Sequence, residues 1–139
     1  MPLPSATILL EEFADWSVEL KDLIRNCDDR IIPRLIYALP IGHCWARSPG
    51  VTLLGDAAHV MSPFAGEGAN LAMLDATELA LAIAEHGDET ALTQYETAMF
   101  PRSAAAAEKS AQGLDVCFAA DAPKGLVDFF ESMGVPRKH

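Results

Sequence analysis

Residues Val51 to Asn70 read VTLLGDAAHVMSPFAGEGAN, and the fold of the chain is decided by how this stretch is taken. Val51 to Leu54 is a short run of β-branched and aliphatic residues between Gly50 and Gly55, the pattern of a strand buried on both faces. Asp56 follows at its end. Next come a loop carrying Ser62, Pro63, Gly66 and Gly68, and then a long Ala/Leu-rich segment whose composition is that of a helix. The order is strand, acid, loop, helix, and it predicts an α/β, helix-rich fold.

That order has a chemical use. A carboxylate offers only acceptors, so Asp56 at a strand mouth can hold ligand hydroxyls through charge-assisted hydrogen bonds. Ala57 and Ala58 leave room for a chain of sugar-like carbons. Gly66 and Gly68 let backbone approach a flat ring, and the first turn of the following helix presents N–H groups with a partial positive charge. Gly66-Glu67-Gly68 does not open a dinucleotide fingerprint, because Leu71 stands where the third glycine belongs and the loop after the strand is too long.

Gly55-Asp56-Ala57-Ala58-His59, followed by Pro63, Gly66, Gly68, Asn70 and Asp75-Ala76, resembles the second FAD-contacting motif of the class A flavoprotein monooxygenases. This is the para-hydroxybenzoate hydroxylase family, and the loop looks closest to its tetracycline-inactivating branch. Tyr37-Ala38-Leu39-Pro40 resembles the family's crossing strand, so the likeness covers most of the chain. It implies that Gly55, Asp56, Ala57, Pro63, Ala65, Gly66, Gly68, Ala69 and Asn70 contact FAD, with Asp56 on the ribityl chain and Asn70 near the pyrimidine edge. It also implies NAD(P)H as reductant, O2 as oxygen donor and a small aromatic or polyketide-like substrate. Phe64, Cys117 and Phe118 are candidate substrate contacts, with core packing as the alternative for Cys117 and Phe118. The cofactor carries such chemistry, so no side-chain nucleophile is required.

The same likeness exposes a gap. The family's N-terminal strand–GxGxxG–helix unit, which binds the ADP half of FAD, has no counterpart in this sequence. The expected organisation is a C-terminal portion: residues 1–47 as the end of a substrate domain and the crossing strand, 48–86 as the FAD-contacting strand–loop–helix, and 87–139 as C-terminal helices. A missing N-terminal half is then a partner, and an unpaired strand edge with uncovered apolar helices predicts a homo-oligomer. The rival reading is a non-catalytic accessory module that does not hold FAD alone.

Composition fits either. The 139 residues, 50% of them hydrophobic, suffice for one domain with a core. A net charge of −10 argues against nucleic acid and anionic membrane surfaces as partners. No apolar run reaches the length of a membrane span and Met1-Pro2-Leu3-Pro4 lacks a basic start, so a cytoplasmic location is expected. Cys27, Cys44 and Cys117 are too irregularly spaced for a disulfide framework or a zinc site, and no metal is expected.

Outside the central stretch the chain reads as helices and short strands. Thr7 to Asn26 has helical apolar spacing through Leu9, Leu10, Phe13, Trp16, Leu20, Leu23 and Ile24, as one amphipathic helix or as two with Ser17 capping the second. Phe13 and Trp16 read as core. After a polar turn at Asp28 to Arg30, Ile31-Ile32 and Leu35 to Leu39 are strand-like, and Trp45 reads as packed. Glu67 to Glu85 reads as a helix with Ala69, Ala72, Met73, Ala76, Leu79, Ala80 and Ile83 inward, ended by Gly87, with Asp88 capping the next. Leu92, Tyr95 and Met99 then form one stripe, and Pro101 starts a new helix or kinks the old one. A last helix uses Leu126, Val127, Phe129, Phe130 and Met133.

Overall fold

The structure, a computed structural model, describes residues 6–28, 31–87 and 89–132, without the side chain of Phe129. The expected cap at Asp88, the apolar positions Phe129 and Met133, and most of the polar turn before Ile31 lie outside the described residues. The chain divides into two compact units, Met1–Ile36 and Tyr37–His139.

In the first unit, α1 (Ala6–Glu12) and α2 (Val18–Arg25) are in contact. The amphipathic stretch is thus two helices, and the break falls where Ser17 caps α2 by accepting the N–H of Leu20. Lys21 Nζ closes back on the carbonyl of Ala14 at 2.7 Å. The core role read for Trp16 is not met: it is 47% exposed and stacks on Phe13 with ring centroids 4.4 Å apart. Neither helix holds a buried residue. Ile31 to Ile36 carries no strand, and Leu35 is exposed.

The second unit is built on two long helices. They follow a single turn, α3 (Asp56–His59), and a 3-10 turn at Pro63–Ala65. Helix α4 (Gly68–His86) ends on Gly87 in the left-handed conformation, φ 75°, whose N–H returns to the carbonyl of Ile83. Helix α5 (Glu89–Cys117) lies along α4 and is continuous through Pro101, so Pro101 neither starts nor ends a helix. α6 (Lys124–Ser132) packs on α5. Tyr95 and Met99, from the predicted α5 stripe, are buried with Ala58, and Trp45, Leu79 and Phe100 pack around them. Trp45 meets Phe100 edge-on at 4.8 Å.

Two expectations fail for physical reasons. Val51 to Leu54 is extended but is not a strand: the described residues hold one isolated bridge, Ser48 to Val51, and no sheet. A buried strand needs neighbours to take its N–H and C=O groups, and among the described residues no other strand accompanies it. Val51, Leu53 and Leu54 are accordingly exposed. The crossing strand at Tyr37 to Pro40 is likewise irregular, tied to the loop by Leu39 N–H donating to the carbonyl of Val60 at 2.8 Å. Among the described residues the observed architecture is therefore helical, not the expected α/β.

The inward face expected of α4 is met only in part: Leu79 packs on the core and Ala72 lies against Gly55. Leu71 and Asp75 are its buried residues, whereas Met73 and Ile83 are 63% and 47% exposed. A helix apolar on all sides gives periodicity no purchase, and here one acidic side chain marks the inner stripe.

Candidate functional site

The central loop is held from beneath by buried polar groups. Asp75 is fully buried and is surrounded by donors. It accepts the Gly55 backbone N–H at 3.0 Å and His59 Nε2 at 2.6 Å on one oxygen, and Arg102 at 3.0 Å on the other. Burial pushes the Asp75 carboxyl up, but the hydrogen bonds from Gly55, His59 and Arg102 outweigh it and hold the group below the usual aspartate value. Since Asp75 is the acceptor, Nε2 of His59 carries the hydrogen, and Nδ1 is buried without a partner. His59 faces this cluster, not an open face. Arg102 also pairs with Glu78 at 2.7 Å, so Asp75 and Glu78 are both salt-bridged.

Glu96, also buried, replaces the missing sheet as an anchor for the extended segment. One of its oxygens accepts Trp45 Nε1 at 3.0 Å, Thr52 Oγ1 at 2.7 Å and Arg47 at 3.3 Å. Tyr95 donates its hydroxyl to the carbonyl of Leu53 at 3.1 Å. Burial, and then the charge of Asp75, push the Tyr95 phenol up, so it remains a neutral donor. Gly50 N–H and Arg47 both reach Glu89 at the start of α5.

Further along, Ser62 and Ser110 are buried against each other. Ser62 Oγ lies 2.9 Å from Ser110 Oγ, and the Ser110 hydroxyl reaches the carbonyl of Ser62. One turn on, α5 carries Gly113 directly under Phe64, where a Cβ would come within 2.9 Å of the Phe64 carbonyl oxygen. Ser110 and Gly113 thus set the 3-10 turn down on α5.

Most of the residues picked from the sequence are left uncovered by this scaffold. Asp56, Ala57, Pro63, Gly66, Ala69 and Asn70 are exposed, and Ala65 and Gly68 are half-buried. Gly55 is the exception: it is buried, with its backbone turned left-handed at φ 59° and a Cβ position 3.2 Å from Ala72 on α4. Ala72 lies one turn beyond Gly68, so Asp56 starts its own turn beside the amino end of α4. At Gly66 and Gly68 nothing lies within 4 Å of where a Cβ would be.

On the α5 side, the 3-10 turn borders a cavity of about 590 Å³ whose walls include Phe64, Lys109, Cys117, Leu126 and Phe130. This is the size range of small-molecule sites, about 300–1,000 Å³. Phe64 and Cys117, two of the three candidate substrate contacts, are brought together there. Phe118 stands outside the lining but meets Phe64 edge-on at 5.5 Å and is 71% exposed. Sequence reading missed Glu96, Arg102, Ser110 and Gly113. The signal available was the spacing of Tyr95, Met99, Arg102, Ala106, Ser110 and Gly113, a continuous helical stripe that runs from core residues to small and polar ones.

Residues 45–110 match the family described as FAD binding domain. Over this stretch the chain is similar to that family. The likeness extends to whole monooxygenases, three of which illustrate it. The chain is 44% identical over 75 residues to the monooxygenase asqM of Emericella nidulans, covering 49% of this chain and 17% of that protein. It is 34% identical over 112 residues to the monooxygenase penA of Penicillium thymicola, covering 66% and 26%. It is 34% identical over 117 residues to an FAD-dependent urate hydroxylase of Mycolicibacterium vanbaalenii, covering 82% and 29%. The chain therefore spans less than a third of the length of the relatives it matches. It is a relative of class A FAD-dependent monooxygenases, and the cofactor of the family is FAD.

The FAD-binding stretch fits that cofactor on its own geometry. Open space lies beside Gly66 and Gly68, and Asp56 is an exposed acceptor on a turn fixed at both ends.

Proposed function

We propose that this chain is the FAD-contacting portion of a flavin-dependent monooxygenase that hydroxylates an aromatic or polyketide-like small molecule with NAD(P)H and O2. In the overall reaction one oxygen atom enters the substrate as a hydroxyl and the other leaves as water, with NAD(P)H supplying two electrons. FAD, when bound, carries the electrons and activates oxygen. The residues here orient it. Asp56 accepts ribityl hydroxyls, the first-turn N–H groups of α4 favour electron density on the pyrimidine edge, and Phe64 and Ala65 separate the ring system from the apolar cavity.

One observation carries this reading: the 3-10 turn Pro63–Ala65 borders both the open glycine-lined face and the apolar cavity. A site that must bring a flat cofactor against an apolar substrate needs such a shared wall. The monooxygenase relatives favour it over a non-catalytic accessory module. A partner segment, in the same or another polypeptide, supplies the contacts to the ADP half of FAD, and self-association covers what remains open. The exposed Val51, Leu53 and Leu54 and the exposed Met73, Leu74, Leu81 and Ile83 of α4 support such docking.

FAD titration followed by visible absorbance and flavin fluorescence tests the reading. Weak saturable quenching with the chain alone, strengthened by a complementary N-terminal half, is expected; no change up to millimolar FAD with both halves present overturns it.

A further inference from the structure

Asp56 owes its position to groups that never touch the open face. The turn that carries it begins at Gly55 and ends at His59, and both ends are tied to the same oxygen of Asp75 on α4. The other oxygen is tied to Arg102 on α5. Asp75 is entirely buried and His59 is 5% exposed. Gly55 adopts a backbone conformation that side-chain-bearing residues rarely take, and its Cβ position is pressed against Ala72.

We propose that Asp75, His59 and Arg102 form a buried latch that sets the orientation of Asp56, making Asp75 the chief positioning residue of the ligand-binding turn. For FAD this rests on the flavin reading above; for the turn itself it rests on geometry alone. The carboxylate is needed because it accepts three donors at once. An isosteric amide keeps the shape but has one acceptor oxygen and brings its own N–H2 against the donors of His59 or Arg102. His59 is needed only as a donor on its Nε2 side. A glutamine can present an N–H there, and an alanine cannot.

The test compares Asp75→Asn, His59→Ala and His59→Gln in the full chain by amide hydrogen exchange, with FAD titration alongside. Asp75→Asn and His59→Ala are expected to speed exchange at Gly55, Ala58 and His59 by about tenfold or more, the loss of one charge-assisted hydrogen bond, while amides around Tyr95 and Met99 in α5 keep their rates. His59→Gln is expected to restore protection. FAD affinity is expected to fall by a similar factor in the first two variants and to recover in the third. Acceleration spread equally over α4 and α5, or no change at Gly55 in Asp75→Asn, overturns the latch whatever FAD does. Loosened turns with unaltered affinity in a chain that binds FAD also overturn its positioning role. A latch that responds as expected in a chain that takes up no FAD supports the latch and counts against the flavin reading.

Discussion

The two units of the chain invert the usual relation between sequence pattern and burial. Helices α1 and α2 have a legible amphipathic pattern, with Leu20, Leu23 and Ile24 on one side of α2 and charges on the other, yet neither buries a residue. Helices α4 and α5 are Ala-rich and only weakly amphipathic, yet between them they bury Asp75, Glu96, Ser103 and Ser110 alongside Tyr95 and Met99. An apolar stripe states that a helix wants a cover. A buried acid with all its donors in place shows that the cover is present, because an unpaired charge in that position would be too costly to keep.

The largest effect expected from breaking this contrast is at Asp75. Asp75→Ala leaves buried His59 without its partner and Arg102 held by Glu78 alone, and should cost the second unit about 3–5 kcal/mol, the range for removing one partner of a buried pair. Trp45 fluorescence in a Trp16→Phe background, followed through a urea titration, reads that unit separately. The pH dependence follows from the same group. Its folded-state affinity for protons is lowered, so its contribution is fully present above the ordinary aspartate value of about 3.9 and is lost as pH falls below it. Stability of the wild type should therefore decline more steeply on acidification than that of Asp75→Asn. Parallel curves would mean that Asp75 titrates alike in the folded and unfolded chain.

The contrast also explains what the sequence could tell. Gly55-Asp56 and Gly66-Glu67-Gly68 were legible because their chemistry is local: a left-handed turn, an exposed acceptor and open space at a glycine depend on few neighbours. The α2 cap at Ser17 and the stop at Gly87 were legible for the same reason. Val51 to Leu54 was misread because a strand is a relation between segments, and the β-branched pattern records a preference for partners without showing where they are. The role of His59 was hidden because its partner is 16 residues away. Gly113 was hidden for the same reason, since Phe64, which lies on it, is distant in the sequence.

Next in size is Asp56→Ala. With no intramolecular bond of its own to lose from the latch, the variant should leave the urea midpoint within about 0.5 kcal/mol of wild type, as surface changes do. It should weaken FAD by about 10- to 100-fold, equivalent to about 1.5–3 kcal/mol of charge-assisted bonding, when a complementary half makes binding measurable. Equal affinity in wild type and variant would remove Asp56 from the flavin site.

Gly113→Ala should have a smaller and compound effect. The added methyl comes within 2.9 Å of the Phe64 carbonyl oxygen and 3.0 Å of its Cβ, so the 3-10 turn must lift off α5. Overpacking costs about 1–3 kcal/mol, against which the better helix propensity of alanine returns about 1 kcal/mol. A net loss of stability with altered access to Cys117, read by the rate of thiol alkylation, is expected. A stabilised variant with unchanged alkylation would show that Phe64 does not rest on α5 in solution.

The smallest effect is expected at Leu23, and it bears most directly on the first unit. This side chain is 71% exposed on α2. If it remains so in solution, Leu23→Ala removes little buried area, and with alanine slightly favoured in a helix the change should stay within about 0.5 kcal/mol. If a second copy of the chain or a partner segment covers α2, the same truncation acts as a core substitution, costing about 2–5 kcal/mol, and the cost grows with protein concentration because the cover is supplied by association. Urea titrations of wild type and variant, followed through Trp16 at two protein concentrations a hundredfold apart, separate these cases. Superimposed curves at both concentrations would leave the first unit uncovered and rule out self-association through α2; a gap that opens with concentration would identify α2 as the face on which the chain docks.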